Sequence, residues 1–331
     1  MIWLRDRARP LPQVPVQERL RRLVPLGAGE LLVEAEWGGF MVVPAFNMDV
    51  AIGVARDGVH EPWTTRLVQE LLRPGDIYLN AGANFGYFVC LAGRLVGEGG
   101  RVVGVEPNPH ILPFLMKSLY WNGSIGNTDI VARALTDTAG EAVTFHFDPQ
   151  YLGGGTLCGL TEAAAAPVAQ RGGLADALWS PATLPRLLDA DGRWVKGAGL
   201  MLPFSAESTT IDGIATLLRL PRIDLLHLDI EGAEPLALLG GRDMIARSPR
   251  LRLITEWSAG HYARGNPRVR AAFDAICALT LARGWTVRWV EPRVAADGGL
   301  FLSPPLSRES MIGTAAHGDY LWTPPGLDLP G

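Results

Sequence analysis

Three short runs of this 331-residue chain place glycine beside hydrogen-bonding or acidic side chains at the ends of apolar segments. The first, Ala81-Gly82-Ala83-Asn84-Phe85-Gly86, lies between a short run ending at Asn80 and an apolar stretch from Tyr87 to Val96. Glycine in such a turn lets the backbone approach a ligand, and the free amides of a following helix can receive polar groups. The second, Glu106-Pro107-Asn108, closes the run Arg101 to Val105. An acidic residue about 20 positions past a glycine turn, at the end of the next strand, can hydrogen-bond both hydroxyls of a ribose. The third, Asp229-Ile230-Glu231-Gly232-Ala233-Glu234, follows the apolar run Ile223 to Leu228. Together they describe a nucleoside-binding crevice with carboxylates near a reacting atom.

What the first turn lacks narrows the nucleoside. A dinucleotide fingerprint G-x-G-x-x-G would put glycine at 82, 84 and 87, where the chain has Gly82, Asn84 and Tyr87. A pyrophosphate would be crowded there, so a nicotinamide oxidoreductase is the less suitable reading. S-adenosylmethionine carries an adenosine and an amino-acid tail without phosphate, and suits the turn better. Methyl transfer from a sulfonium requires an acceptor held in line, and a nearby base helps a hydroxyl lose its proton. Asp229, Glu231 and Glu256, at or just beyond the ends of the fourth and fifth strands, are the expected polar floor. His261 is a candidate general base, with surface exposure as the plainer alternative. The three carboxylates also suit a divalent cation as hard oxygen ligands, but no histidine cluster supports a transition metal, and no metal is expected. Glu231 and Glu234 have a plainer role as partners of helix-start amides. His227, inside an apolar strand, is expected to be a satisfied core or interface residue, and core packing is the safer reading of Trp63, Trp257 and Tyr262 over an acceptor wall.

These groups need elements to hold them. Thr64 to Leu72 shows one apolar helical face, ended by Pro74-Gly75; Asp76 to Asn80 reads as a strand, Tyr87 to Val96 as a helix, Arg101 to Val105 as a strand and His110 to Trp121 as a helix. This β-α-β-α order starts a parallel sheet with right-handed crossovers. Strands follow at Asp129 to Ala132 and Ala142 to Phe147, then Ile223 to Leu228, Leu251 to Thr255, Trp285 to Val290 and Tyr320 to Trp322. Helices are expected over Glu234 to Ala246 and from Asn266-Pro267 to Arg283. Residues 150–204 lose periodicity and read as an insertion or lid. Residues 1–60, with short runs Leu31 to Val33 and Phe40 to Val43, read as a β lead-in to a catalytic domain over 61–331.

The three motifs resemble those of the FkbM-type methyltransferases: Gly82-Ala83-Asn84-x-Gly86, Glu106-Pro107-Asn108 and Asp229-x-Glu231-Gly232-Ala233-Glu234 occur in order, flanked by Glu61-Pro62 and Trp121-Asn122-Gly123. The resemblance spans about residues 60–260. It implies a class I methyltransferase fold, an α/β doubly wound, mostly parallel seven-stranded sheet with a reversed edge strand. It also implies S-adenosylmethionine as cofactor and mostly oxygen methylation of small molecules or sugars. By analogy with the family, Gly82, Ala83 and Asn84 would meet the amino-acid tail, with Glu61, Asn80, Gly86 and Asp229 around it. Glu106, Pro107 and Asn108 would take the ribose, and Arg133 and Ala134 would flank adenine. The sequence departs from the family at two places, with Asn80 where Asp is usual and His227 where Lys is common. Asn80 still accepts a hydrogen bond from an ammonium but forfeits charge assistance, roughly a factor of two in hydrogen-bond strength. A nitrogen acceptor, including one on a peptide, and a cofactor-binding homologue without catalysis are the alternatives.

Composition sets the remaining bounds. Apolar residues at 48% against 19% charged supply a sizeable core. A net charge of −4, with the groups Arg5, Arg7, Arg9 and Arg19, Arg21, Arg22 the nearest thing to a basic patch, gives no footprint for nucleic acid. No apolar stretch approaches a membrane span, and the charged N-terminus lacks an apolar signal region, so a cytoplasmic chain is expected. Cys90, Cys158 and Cys277 lie too far apart for a disulfide framework or zinc cluster. The lead-in and the Pro-rich end either pack on a partner subunit, making a homo-oligomer, or cover their own sheet.

Overall fold

The computed structural model describes residues 2–4, 23–47, 50–148, 151–156, 202–295 and 298–327. The strands are β1 (Ile2–Leu4), β2 (Leu23–Gly27), β3 (Glu30–Glu34), β4 (Phe40–Pro44), β5 (Ile77–Ala81), β6 (Arg101–Val105), β7 (Thr128–Val131), β8 (Ala134–Leu135), β9 (Ala142–Asp148), β10 (Tyr151–Thr156), β11 (Leu202–Thr209), β12 (Leu225–Leu228), β13 (Arg252–Trp257), β14 (Thr286–Val294), β15 (Leu300–Leu302) and β16 (Gly318–Thr323). The α-helices are α1 (Val50–Asp57), α2 (Pro62–Leu71), α3 (Tyr87–Val96), α4 (Leu112–Asn122), α5 (Ile211–Leu217), α6 (Glu234–Leu239), α7 (Arg242–Arg247), α8 (Ala259–Arg264), α9 (Pro267–Leu279) and α10 (Arg308–Gly313).

The main sheet runs in the order β1-β15-β14-β16-β13-β12-β5-β6-β7. From β13 to β7 all pairings are parallel, while β16 is antiparallel to both β13 and β14. The doubly wound α/β class expected from the motifs is present, with two corrections. Nine described strands form the sheet where seven were expected, because β15 and β1 extend the β14 edge by antiparallel pairing. The parallel block is therefore five strands wide. The reversed strand is also internal. Five consecutive residues of β16, Asp319 to Thr323, are buried, so this strand needs cover on both faces and pairing on both edges.

Strand alternation divides the core between the two faces. Tyr78, Val102, Leu225 and Ile254 pack with α2 and α3, through Leu67, Val68, Val89 and Cys90. Ile77, Leu79, Val103, Leu226 and Leu253 pack with α5, α7 and α9, through Ile214, Met244 and Phe273. Layering helices on both faces of parallel strands buries each strand twice, which explains their near-continuous apolar sequences.

Local chemistry fixes where helices start and break. Asn266 accepts from the Val269 amide and Pro267 opens α9, as expected, but the helix ends at Leu279 and only a 3₁₀ turn, Leu281–Arg283, follows. The single helix expected over Glu234 to Ala246 is two, α6 and α7. A Cβ at Gly240 would stand 2.3 Å from the Thr136 carbonyl oxygen, so the chain crosses there on glycine. The Asp212 carboxylate accepts from the Asp243 and Met244 amides and starts α7 afresh.

Two smaller sheets flank the main one. β2, β3 and β4 form the expected lead-in meander, whose β4 edge is satisfied by α4 side chains: Asn122 Oδ1 accepts from the Phe40 amide and Ser118 Oγ from Val42. β8 to β11 form a second sheet in the order β10-β9-β11-β8. β11 pairs with β9 over Leu202 to Glu207. The central part of the expected 150–204 insertion, residues 157–201, lies outside the described residues.

Chain order reverses between β5 and β12, and their carboxyl ends open the crevice where open α/β sheets bind ligands. The two strand-end loops touch through backbone. Gly82 has φ 81°, and a Cβ there would lie 1.9 Å from the Asp229 carbonyl oxygen. Gly123, which ends α4 at φ 66°, has open space around it. We expect Gly82→Ala to cost about 3 kcal/mol of stability and Gly123→Ala only about 1 kcal/mol, since only the former adds a clash to the left-handed penalty. Denaturant unfolding of both variants checks the difference; equal losses would contradict the crossing.

Candidate active site

The glycine turn is pinned from beneath and from the side. The Gly82 and Ala83 amides both donate to the Val105 carbonyl, and Asn84, at φ 49°, accepts from Phe85 through its own side chain. Glu106 joins the turn to the next loop: Oε2 accepts from the Asn84 amide at 2.9 Å and Oε1 from the Asn108 amide at 2.8 Å. Two backbone amides hold this carboxylate in one orientation, leaving each oxygen further lone-pair capacity. Burial pushes Glu106 up to about 7 despite both amides. Asn108 Oδ1 then accepts from His110 and fixes the Glu106-Pro107-Asn108 loop.

Gly82, Asn84, Glu106, Pro107 and Asn108 line an open cleft together with Asp229, Ile230 and Glu231. Ile111, Phe145 and Phe204 complete it. The two phenylalanines come from β9 and β11 and stack at 4.9 Å between ring centres, 9° from parallel. Sequence reasoning missed this wall, because the aromatic pair forms only when two strands almost sixty residues apart in sequence align in register.

Beyond the cleft the carboxylates crowd together. Ligand oxygens of Asp229, Glu231 and Glu256 lie within 4.8 Å of one another. Burial and then the Glu256 charge raise Asp229 well above the usual carboxylate range; burial and then Glu231 do the same to Glu256. Glu61, which precedes α2 at φ 43°, is raised by burial and by Asp319. Asp319, at the start of β16, accepts from Trp63 Nε1 at 3.2 Å and from the Thr64 hydroxyl. No motif marked Asp319; the internal position of β16 brings it here.

The Asp229–Glu234 loop is closed by Glu234, whose Oε1 accepts from the Ile230 and Gly232 amides. Glu234 thus takes the amide-binding role, and Glu231, at φ 57°, faces the cleft. α8 sets His261 against Gly232, whose added Cβ would lie 3.8 Å from the His261 ring. Burial lowers His261 to about 4, so it is neutral at neutral pH, and its Nδ1 has no partner. His317 Nε2 stands 3.1 Å from Glu256 Oε1. Glu256, His261 and His317 form a second group whose ligand atoms lie within 4.8 Å, so either set could face a cation. His317 carried no sequence signal.

Other expected residues lie apart from the cleft lining. Arg133 is exposed and faces Glu207 at 3.6 Å, and Ala134 is buried in β8 against β11, because the chain turns into the second sheet directly after β7. Ala83 is buried, and Gly86 serves helix packing, since a Cβ there would meet Leu115 at 2.5 Å. Trp257 stacks on Phe273 at 4.6 Å, Tyr262 packs edge-on to the same ring, and Trp63 holds Asp319. Asn80 and His227 prove to be register partners on β5 and β12, each 1% exposed. His227 is buried but only partly satisfied: its Nδ1 pairs with the Tyr78 hydroxyl at 3.0 Å, while Nε2 has no partner.

The family model for the methyltransferase FkbM domain matches residues 80–284, and the chain belongs to the FkbM methyltransferase family. It is accordingly an S-adenosylmethionine-dependent methyltransferase. No curated protein matches the chain. Solved structures similar to it include an O-methyltransferase from Bacillus cereus in complex with S-adenosylhomocysteine, at 11% identity over 84% of this chain and 82% of that one, with a TM-score of 0.37. A SAM-dependent O-methyltransferase from Thermotoga maritima is 12% identical over 90% of this chain and 78% of that one, also at 0.37. The O-methyltransferase TomG from Streptomyces achromogenes, in complex with SAM, is 14% identical over 80% and 78%, at 0.35.

The raised carboxylates have a consequence for the ligand-free protein. Burial lifts Glu106 and Glu234 to about 7. Their protonated forms favour the fold, so that contribution is full below about pH 4.5 and is lost as pH rises through 7. The melting temperature is expected to fall between about pH 4.5 and 7, and Glu234→Gln to flatten part of that fall. A melting temperature that rises across this window would contradict the assignment.

Proposed function

We propose that this methyltransferase transfers the methyl group of S-adenosylmethionine to a hydroxyl oxygen of a small metabolite, sugar or natural-product intermediate. The observation that carries the reading is the placement of Glu106: a carboxylate locked by two backbone amides, across a cleft from Asp229 and Glu231. A ribose presents two adjacent hydroxyl donors, which match the two remaining acceptor sites of that carboxylate. Phe145 and Phe204 offer a flat apolar wall for adenine. The sulfonium and the ammonium of the cofactor are cations, and the crowded carboxylates of Asp229, Glu61 and Glu256 favour them by charge.

The bound cofactor supplies a methyl carbon made electrophilic by positive sulfur. The chain's own residues orient the acceptor and take its proton. Glu256 and His261 are the candidate bases for the acceptor hydroxyl, and an ionised Glu256 is the stronger base of the two. His317, 3.1 Å from Glu256, can share the proton received. No described helix is long and apolar enough to cross a membrane.

Calorimetric titration with S-adenosylmethionine and S-adenosylhomocysteine tests the reading. Micromolar binding is expected, weakened at least about tenfold by Glu106→Ala, equivalent to about 1.4 kcal/mol. A folded wild-type protein that binds neither ligand would refute it.

A further inference from the structure

The register-paired residues Asn80 and His227 hold polar atoms that the fold leaves without partners. Asn80 Oδ1 and His227 Nε2 are both buried and unpaired, in side chains 1% exposed. Buried polar atoms are almost always satisfied by protein or by a guest. The two residues stand opposite each other on adjacent parallel strands, and strand alternation sends both side chains to the face that carries Tyr78. Phe88 of α3 covers His227 edge-on at 4.8 Å between ring centres.

Their hydrogen-bonding characters are complementary. Asn80 Oδ1 is an acceptor, since the Asn80 amide nitrogen lies near the Ala81 and His227 carbonyls at 3.5 and 3.4 Å. If the Tyr78 hydroxyl donates to His227 Nδ1, the neutral imidazole carries its proton on Nε2. The opposite tautomer would strand both the tyrosine proton and the Nε2 lone pair in the core, and is the costlier arrangement. The fold therefore presents one unmatched acceptor and one unmatched donor on register-paired residues of adjacent strands. They lie two residues before Gly82 and Asp229, which line the cleft.

We propose that His227 completes the seat that the family resemblance implies at Asn80: His227 Nε2–H donates to the carboxylate of the cofactor's amino-acid head, beside Asn80 Oδ1, the acceptor expected for its ammonium. This rests on the methyltransferase reading and adds His227 to the cofactor-binding residues as a positioning group. A neutral donor beside a neutral acceptor suits a zwitterion, whose two charges sum to zero. One ordered water could also satisfy both atoms, and the probes below separate it from the head group.

S-Adenosylhomocysteine and 5′-methylthioadenosine share the adenosine and thioether, and only the former carries the amino-acid head. Titration of wild-type, His227→Leu and His227→Gln proteins with both is the test. In His227→Leu, affinity for S-adenosylhomocysteine should fall at least about tenfold while that for methylthioadenosine stays within about twofold; His227→Gln, which keeps an N–H donor, should recover part of the loss. Equal losses for the two ligands, or none, would overturn the proposal. Should the variants fail to fold, ¹⁵N-histidine spectra of the wild-type protein decide. A His227 Nε2–H signal that shifts with S-adenosylhomocysteine and not with methylthioadenosine supports the seat, and one that responds to both alike or to neither overturns it. Absence of binding of both probes to wild-type protein would remove the methyltransferase reading and this proposal together.

Discussion

Backbone contact between Gly82 and the Asp229 carbonyl sets the spacing of two strand-end loops at the point where the sheet changes direction. Parallel strands end with their loops on the same side, so a close approach here brings two loops from distant parts of the sequence to one crevice. With the loops in contact, Glu106 reaches the Asn84 amide across the turn, and Glu234 gathers the amides of the opposite loop. A larger residue at position 82 would part the loops and displace the anchors of the cleft.

The same convergence concentrates negative charge. Asp229, Glu231 and Glu256 come from the ends of neighbouring strands, and β16, running against them, adds Asp319 from its start. Like charges this close and this buried cannot all be ionised. On the proposed function a cationic cofactor would relieve the repulsion, linking the site's affinity to its protonation. At Asn80 and His227 the chain does the reverse: two uncharged side chains occupy paired positions where the family usually has an acid and a base. Both departures fall on one register pair, so the charge sum of that pair is unchanged.

Much of this was legible in the sequence because it depends on short-range pattern. The strands and helices from Pro62 to Asn122 follow from apolar runs closed by glycine, and the three motifs fall at strand ends as their spacing implies. Contributions made by distant register were not legible. Asp319 and His317 reach the site because β16 inserts between β13 and β14, and Phe145 meets Phe204 because β9 pairs with β11. The seven-strand expectation failed for the same reason, since edge strands as short as β1 and β15, three residues each, carry no periodicity. Arg133 and Ala134 lie apart from the cleft lining because this chain starts a second sheet directly after β7.

On the proposed function, the crevice stores protons in its raised carboxylates and exchanges them for a cationic cofactor. The direct measurement is the number of protons released on S-adenosylmethionine binding, from titration calorimetry at about pH 7 in buffers of different ionisation enthalpy. Because the raised carboxylates are lowered when a cation binds beside them, a net release approaching about one proton is expected, with affinity increasing as pH rises. A binding enthalpy independent of buffer, or a net uptake of protons, would contradict it.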